Sequence, residues 1–264
     1  MDRRRFLQTT AAAALAAKLS RVDAVQENRP TLKAIVFDVF GTVVDWRSSV
    51  AREVEALGHR KDLSVEGAKF ADAWRALYGP SMNRVRSGEL PWTKLDDLHR
   101  MMLEKVLLDF GIHSLSDVEK AELNRAWHRL APWPDAAGGL SRLKRSFIIA
   151  PLSNGNISLM TNLAKHAGLP WDCILGAELV RRYKPDRVVY ESAAAFLDLQ
   201  PGEVMMVAAH LGDLNAAKQA GLRTGFVVRP LEFGPAGRPD LQPNASVDVT
   251  AKDFYELADK LHAG

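Results

Sequence analysis

Ala34-Ile35-Val36-Phe37-Asp38-Val39-Phe40-Gly41-Thr42-Val43-Val44-Asp45 is an apolar run that stops at an acid and then turns at Gly41-Thr42. The segment from Leu32 to Phe40 is short, β-branched and aromatic, which predicts a strand buried on both faces. In open parallel α/β sheets, ligands bind in the crevice at the carboxyl ends of the strands. Asp38, at such an end, is therefore a candidate nucleophile, metal ligand or base. A carboxylate that only caps the following turn is the plainer alternative.

Further strand-like runs follow at Phe147–Leu152, Ile174–Leu179, Val204–Ala208 and Thr224–Val228. Between the later runs lie helical patterns at Ile157–Ala167, Val188–Leu197 and Asp213–Ala220, the last closed by Gly221. Alternating strand and helix predicts a doubly wound, Rossmann-like parallel sheet of the α/β class. The interval between the first two strands breaks this rhythm with helix after helix: Ser49–Leu57, Ser64–Tyr78, Trp92–Phe110 and Ser116–Leu130. Ser116-Asp117-Val118-Glu119 has the form of a capping box that starts the last of these. The expected division is a core over residues 31–46 and 135–264, with a helical cap domain inserted over 47–134.

The charge balance narrows the partners. The chain of 264 residues has 35 Lys and Arg against 32 Asp and Glu. Residues 1–24 hold five of the basic and two of the acidic residues, so the remainder balances at 30 of each. A nucleic-acid footprint needs excess positive charge on the folded part, and none is left. The leader, with Arg3-Arg4-Arg5-Phe6-Leu7 ahead of an Ala-rich stretch, reads as a twin-arginine-type export signal, too short to span a bilayer. It implies the twin-arginine export machinery as a partner, a periplasmic location and no membrane anchor. Cytoplasmic residence is the alternative if the leader does not function. The single Cys173 excludes an internal disulfide.

Every core strand ends in polar residues. After the second come Ser153-Asn154-Gly155-Asn156, where Ser153 or Asn156 also suits the N-cap of the next helix. After the third come Arg181-Arg182-Tyr183-Lys184-Pro185-Asp186, with Tyr190 about two turns beyond Lys184. After the fourth come His210-Leu211-Gly212-Asp213. A carboxylate nucleophile needs a nearby cation to keep it ionised, and Lys184 is the candidate. Ser153, Asn154, Lys184 and Asp213 each also have a bland reading as cap or turn residues. Four polar clusters at four successive strand ends favour a site.

Phe37-Asp38-Val39-Phe40-Gly41-Thr42, Leu152-Ser153-Asn154-Gly155, Tyr183-Lys184-Pro185-Asp186 and Val207 to Asp213 resemble, in order, the motifs of the haloacid dehalogenase superfamily. The resemblance runs over about residues 31 to 262. Phosphatases of that superfamily carry a second Asp two residues after the nucleophile and a paired acid ahead of the last motif's Asp. Here Phe40, and Ala208 with Ala209, stand in those places. Those departures suit loss of halide, which needs no proton to leave. The chain is most similar to the type II, or (S)-2-haloacid, dehalogenases.

The resemblance implies that Asp38 attacks the halogen-bearing carbon, and that water positioned by Asp213 with Lys184 and Asn154 then hydrolyses the ester. Thr42 would orient the nucleophile, Tyr190 line the site, and Ser153 with nearby backbone N–H groups hold the substrate carboxylate. Arg75, in the dipeptide Trp74-Arg75, would receive the halide beside Asn154, and Trp92 would wall the halogenated carbon. No cofactor or metal is expected, the substrate being a small haloacid, and family members are often homodimers. Where many members have Tyr, Ser and Asn, this chain has Phe40, Ala208 and His210, so His210 either adjusts water and substrate or fills space. The remaining histidines (His59, His99, His113, His128, His166 and His262) show no metal-ligand spacing. A phosphatase of small phosphate esters and a catalytically weakened binding protein are the competing readings.

Overall fold

The computed structural model describes residues 30–243 and 247–263. The expected export signal lies outside the described residues. From Lys33 onward the chain forms one compact unit. Its sheet has six parallel strands: β1 (Ala34–Phe37), β4 (Ile148–Ser153), β5 (Leu175–Gly176), β6 (Val204–Ala208), β7 (Arg223–Val227) and β8 (Val249–Ala251). Their spatial order is β5-β4-β1-β6-β7-β8. The chain therefore builds outward from β1 on one side, then returns to β1's other edge and builds outward again. The switch point falls beside β1, where a doubly wound sheet opens its crevice.

β1 is fully buried, as its sequence predicts, with Ile35, Val36 and Phe37 all at 0% exposure. Each such side chain contributes roughly 1.5–3 kcal/mol by leaving water. The strand is shorter than the apolar run that encodes it. Asp38 still donates its backbone N–H to Val207 O (2.9 Å), but Phe40 has left the sheet and forms only an isolated bridge with Val44. The run expected as a strand over Ile174–Leu179 yields only the two-residue β5, because Ala177–Val180 turns helical. β8 was not anticipated, its sequence (Val249-Thr250-Ala251) being too short to give a period.

The helices between β1 and β4 stand on a narrow neck. Val44–Asp45 (β2) pairs antiparallel with Ala131–Pro132 (β3). Asp45 serves twice, because its side chain also accepts from Ser48 N–H (3.0 Å) and so caps helix α1 (Trp46–Lys61). Then come α2 (Gly67–Ala76), α3 (Tyr78–Arg86), α4 (Leu95–Asp109) and α5 (Asp117–Asn124), followed by a 3₁₀ turn over Arg125–His128. The single helix expected over Ser64–Tyr78 is thus shorter, and a separate helix starts at Tyr78. The Ser116–Glu119 capping box forms as predicted, but the helix it opens stops at Asn124. Helices α6 (Ala136–Leu143), α7 (Ile157–Ala167), α8 (Ala177–Val180), α9 (Arg187–Phe196), α10 (Leu211–Gln219) and α11 (Phe254–Lys260) belong to the sheet. Among the described residues no helix is long and apolar enough to cross a membrane.

Candidate active site

Three strand ends meet at the switch point. Asp38 follows β1, Ser153 ends β4 with Asn154 just beyond it, and His210 follows β6. The loop after α8 brings Lys184 over them. Its ammonium group lies between two carboxylates, 3.0 Å from Asp38 Oδ1 and 2.5 Å from Asp213 Oδ2. Asn154 Oδ1 holds this loop by accepting from the Lys184 backbone N–H (2.8 Å). Tyr190, one face of α9, donates its hydroxyl to Asp213 Oδ1 (2.6 Å). Thr42 Oγ1 accepts from Ala209 N–H (2.9 Å), which directs its own hydrogen to Asp38 Oδ2 (2.8 Å).

Asp213 was expected at the start of its helix. The helix begins instead at Leu211, with His210 in the N-cap position, so Asp213 lies in the first turn and faces Lys184 and Tyr190. His210 bridges two acids. Its Nδ1 lies 3.1 Å from Asp38 Oδ2, and its Nε2 lies 3.0 Å from each Glu232 oxygen. Ionised carboxylates only accept hydrogen bonds, so both ring nitrogens carry hydrogen and the ring is an imidazolium.

These contacts set the charges. Burial opposes the Asp38 carboxylate, yet the Lys184 ammonium and the His210 hydrogen bond outweigh it and hold the carboxyl well below its usual range. Burial pushes the Asp213 carboxyl up, against the pull of Lys184, with the Asp38 charge adding to the rise. Burial works against the Lys184 charge too, but Asp213 and Asp38 together raise it. For His210, burial is overcome by hydrogen bonds to Asp38 and Glu232, and the imidazole is pushed up to about 10. Two carboxyls pushed apart in this way fit an ionised nucleophile and a more basic partner.

A cavity of about 270 Å³ opens onto these groups, lined by Asp38, Asn154, Lys184, Tyr190, His210 and Asp213 from the sheet side. Phe40, in the turn after β1, and Arg75 and Tyr78, from α2 and α3, complete the lining. Arg75 has its guanidinium carbon 4.1 Å from the ring centre of Tyr78 and 5.3 Å from that of Trp46. Its buried Nη1 has no hydrogen-bond partner among the described residues. With His210 charged, the lining carries three cations (Arg75, Lys184, His210) against two carboxylates, which suits an anionic ligand.

Two expected residues are elsewhere. Ser153 is fully buried, its hydroxyl oxygen accepts from Gly155 N–H (3.0 Å), and it does not line the cavity. As the last residue of β4, it shapes the turn. Trp92 also lies outside the cavity wall. Its ring packs on Tyr183, 4.9 Å between centres, as the Tyr183 hydroxyl donates to Thr93 O (2.6 Å) and draws the two together.

Three residues escaped the sequence reading. Glu232 is 1% exposed and also accepts from Trp46 Nε1 (3.2 Å). Its signal was present, since Arg229-Pro230-Leu231-Glu232 is a fifth polar cluster after a strand, β7. Tyr78 was hidden as the last residue of an expected helix. His99, buried and neutral, stacks on Trp127 at 4.3 Å beside Phe40, Tyr78 and Trp74, and neither ring nitrogen has a partner among the described residues.

Metal-binding groups are a separate matter: among the described residues no three His, Cys, Asp or Glu side chains are grouped to hold a metal ion.

The same chain resembles known proteins throughout this region. The family profile described as haloacid dehalogenase-like hydrolase matches residues 32–221. An (S)-2-haloacid dehalogenase of Burkholderia cepacia is 31% identical over 220 residues, covering 78% of this chain and 89% of the relative. The crystal structure of a defluorinating L-2-haloacid dehalogenase superposes at TM-score 0.86 with 49% identity, over 88% of this chain and 96% of that one. A second L-2-haloacid dehalogenase structure gives TM-score 0.85 and 46% identity, over 88% and 100%.

Proposed function

The chain belongs to the haloacid dehalogenase-like hydrolases, and on that premise we propose that it hydrolyses short 2-haloalkanoic acids to 2-hydroxy acids through an ester on Asp38. One observation carries this: an ionised carboxylate, fixed by Lys184, Thr42 and His210, opens onto a small cavity that Arg75 also lines, and Arg75 Nη1 has no hydrogen-bond partner among the described residues. A displacement at carbon needs a nucleophile on one side and a leaving-group acceptor on the other.

Asp38 attacks C2 of the substrate, the C2–halogen bond breaks with its electron pair, and Arg75 receives the halide. Aromatic rings around Arg75 keep water away, which strengthens its hold on an anion. Asp213, kept more basic than Asp38, takes a proton from water that attacks the ester carbonyl. Lys184 holds the two carboxylates apart without neutralising either, and Tyr190 fixes Asp213. The net positive lining supports recognition of the substrate's own carboxylate. The departures at Phe40, Ala208 and Ala209 favour this reading over the phosphatase, whose leaving-group acid and paired metal-binding acid would stand at those places.

A single turnover of 2-chloropropionate by excess enzyme in ¹⁸O water tests the proposal. The label is expected in the peptide bearing Asp38, with none in the first 2-hydroxy acid formed. Label appearing directly in that product would mean that water, not Asp38, attacks carbon. A panel that includes fluoroacetate, prompted by the defluorinating relative, reads the halogen range by halide release.

The leader's Arg3-Arg4-Arg5-Phe6-Leu7 supports export to the periplasm by the twin-arginine route. Fractionation of a full-length and an Arg3-to-Arg5 Lys-substituted chain tests that, retention in the cytoplasm of the substituted chain alone being the expected result.

A further inference from the structure

We infer that His210 and Thr42 form the oxyanion site for ester hydrolysis, and that Glu232 is the positioning residue holding the His210 ring in it. The inference rests on the Asp38 ester proposed above.

The two oxygens of Asp38 are not equivalent. Oδ2 accepts from Thr42 Oγ1 (2.8 Å) and lies 3.1 Å from His210 Nδ1. Oδ1 accepts from Lys184 Nζ alone among the hydrogen bonds to this carboxylate (3.0 Å). An oxygen with two lone-pair directions engaged is the poorer nucleophile, so Oδ1 attacks and becomes the bridging ester oxygen. Oδ2 then becomes the carbonyl oxygen, still facing its two donors. Donors aimed in advance at the atom where charge develops are the largest single source of acyl-transfer catalysis.

The electrons and protons balance. Water oxygen bonds to Asp38 Cγ, the carbonyl pair moves onto Oδ2, and Asp213 takes one water proton. Collapse re-forms the Cγ–Oδ2 double bond and breaks Cγ–Oδ1. Oδ1 departs in the product and takes the proton from Asp213. The second water proton leaves the regenerated carboxyl for solvent. His210 keeps its own proton throughout and stabilises by hydrogen bond and charge.

Glu232 touches no reacting atom. It is buried against the far side of the ring, and its place is built in. Trp46 Nε1 donates to it, and Gly41, at φ +90°, leaves the space its carboxylate fills, since a Cβ there would collide with it. A glutamine at 232 can still accept from Nε2, but it removes the charge that stabilises the imidazolium beside Asp38.

The test is rapid-quench kinetics with 2-chloropropionate, reading released chloride and the mass of the Asp38 peptide. Glu232→Gln keeps the shape and removes the charge. His210→Gln is the second variant, at a side chain 29% exposed that tolerates replacement if the buried position does not. In both variants ester hydrolysis is expected to fall about 10- to 100-fold further than chloride release, giving a burst of about one chloride per site with the ester persisting on Asp38. A merely structural role would slow both steps together and give no burst, and that result overturns the inference. So does an ester that forms and clears at the wild-type rate in both variants. Chloride release with no adduct on Asp38 at any quench time, in the wild type as well, is a distinct failure that overturns the ester itself.

Discussion

The sheet rim and the helical wall across the cavity treat their charged groups in opposite ways. At the rim every ionised group is answered: Asp38 by Lys184, Thr42 and His210, Asp213 by Lys184 and Tyr190, His210 by Asp38 and Glu232. On the helical side, Arg75 and His99 sit among aromatic rings with nitrogens that have no partner among the described residues. A satisfied network is rigid and holds its protonation states. An unsatisfied buried donor costs stability unless a ligand completes it. On the proposed mechanism the standing chemistry belongs to the rim and the transient anion to the helices.

The sharpest way to break that division is at the rim. Asp38→Asn should lower halide release by at least about 10³-fold, because it removes the attacking charge while leaving the cavity's shape. Residual activity near the wild-type level, read by halide assay, would sink the nucleophile assignment. Next comes Arg75→Ala, which should slow the first step by roughly 10²-fold with little loss of fold stability. Its Nη1 has no hydrogen-bond partner among the described residues, so the folded state loses little hydrogen bonding when it goes. A wild-type burst rate in this variant would take the halide away from the helical wall.

His99 sharpens the comparison through pH. Burial, only partly opposed by Asp96, pushes its imidazole down to about 3. The unfolded chain takes up a proton near its ordinary 6.5 that the native protein refuses. Stability is therefore whole above 6.5 and is lost as pH falls from there toward 3. His99→Phe should remove that loss, worth about 2 kcal/mol between pH 6.5 and pH 5. Urea unfolding at the two pH values checks it; parallel losses in variant and wild type would show that another group carries the acid sensitivity. The smallest effect belongs to Trp92→Ala, expected to change kcat by no more than about 3-fold because Trp92 packs on Tyr183 outside the cavity. A larger fall in kcat, with the fold unchanged by circular dichroism, would restore it to the substrate wall.

Most of the rim was legible in the sequence because strand ends are local events. An apolar run followed at once by an acid, a Ser-Asn-Gly turn or Tyr-Lys-Pro-Asp reports its own position in a parallel sheet. What joins Lys184 to Asp38, or His210 to Glu232, is the strand order β4-β1-β6-β7, which no local pattern encodes. Glu232 was missed for that reason, although its cluster follows a strand as the others do. The helical side was harder. The break at Leu77 is marked by Gly79 and Pro80 in the first turn of the next helix, but Tyr78 precedes both and so reads as an end when it begins that helix. Trp92 and Ser153 differ in the other direction, lying outside the cavity lining, since a motif position states neither which way a side chain points nor what already occupies it.

The pinning of both Asp38 oxygens by three separate donors has a consequence for isotopes. A carboxylate that cannot rotate keeps its incoming and outgoing atoms in fixed places. Each turnover leaves a solvent oxygen in the attacking position, and the next turnover exports it. The protein thus remembers the water of one cycle and no more: moved from heavy to ordinary water, it should yield a single heavy hydroxy acid per site before the signal vanishes.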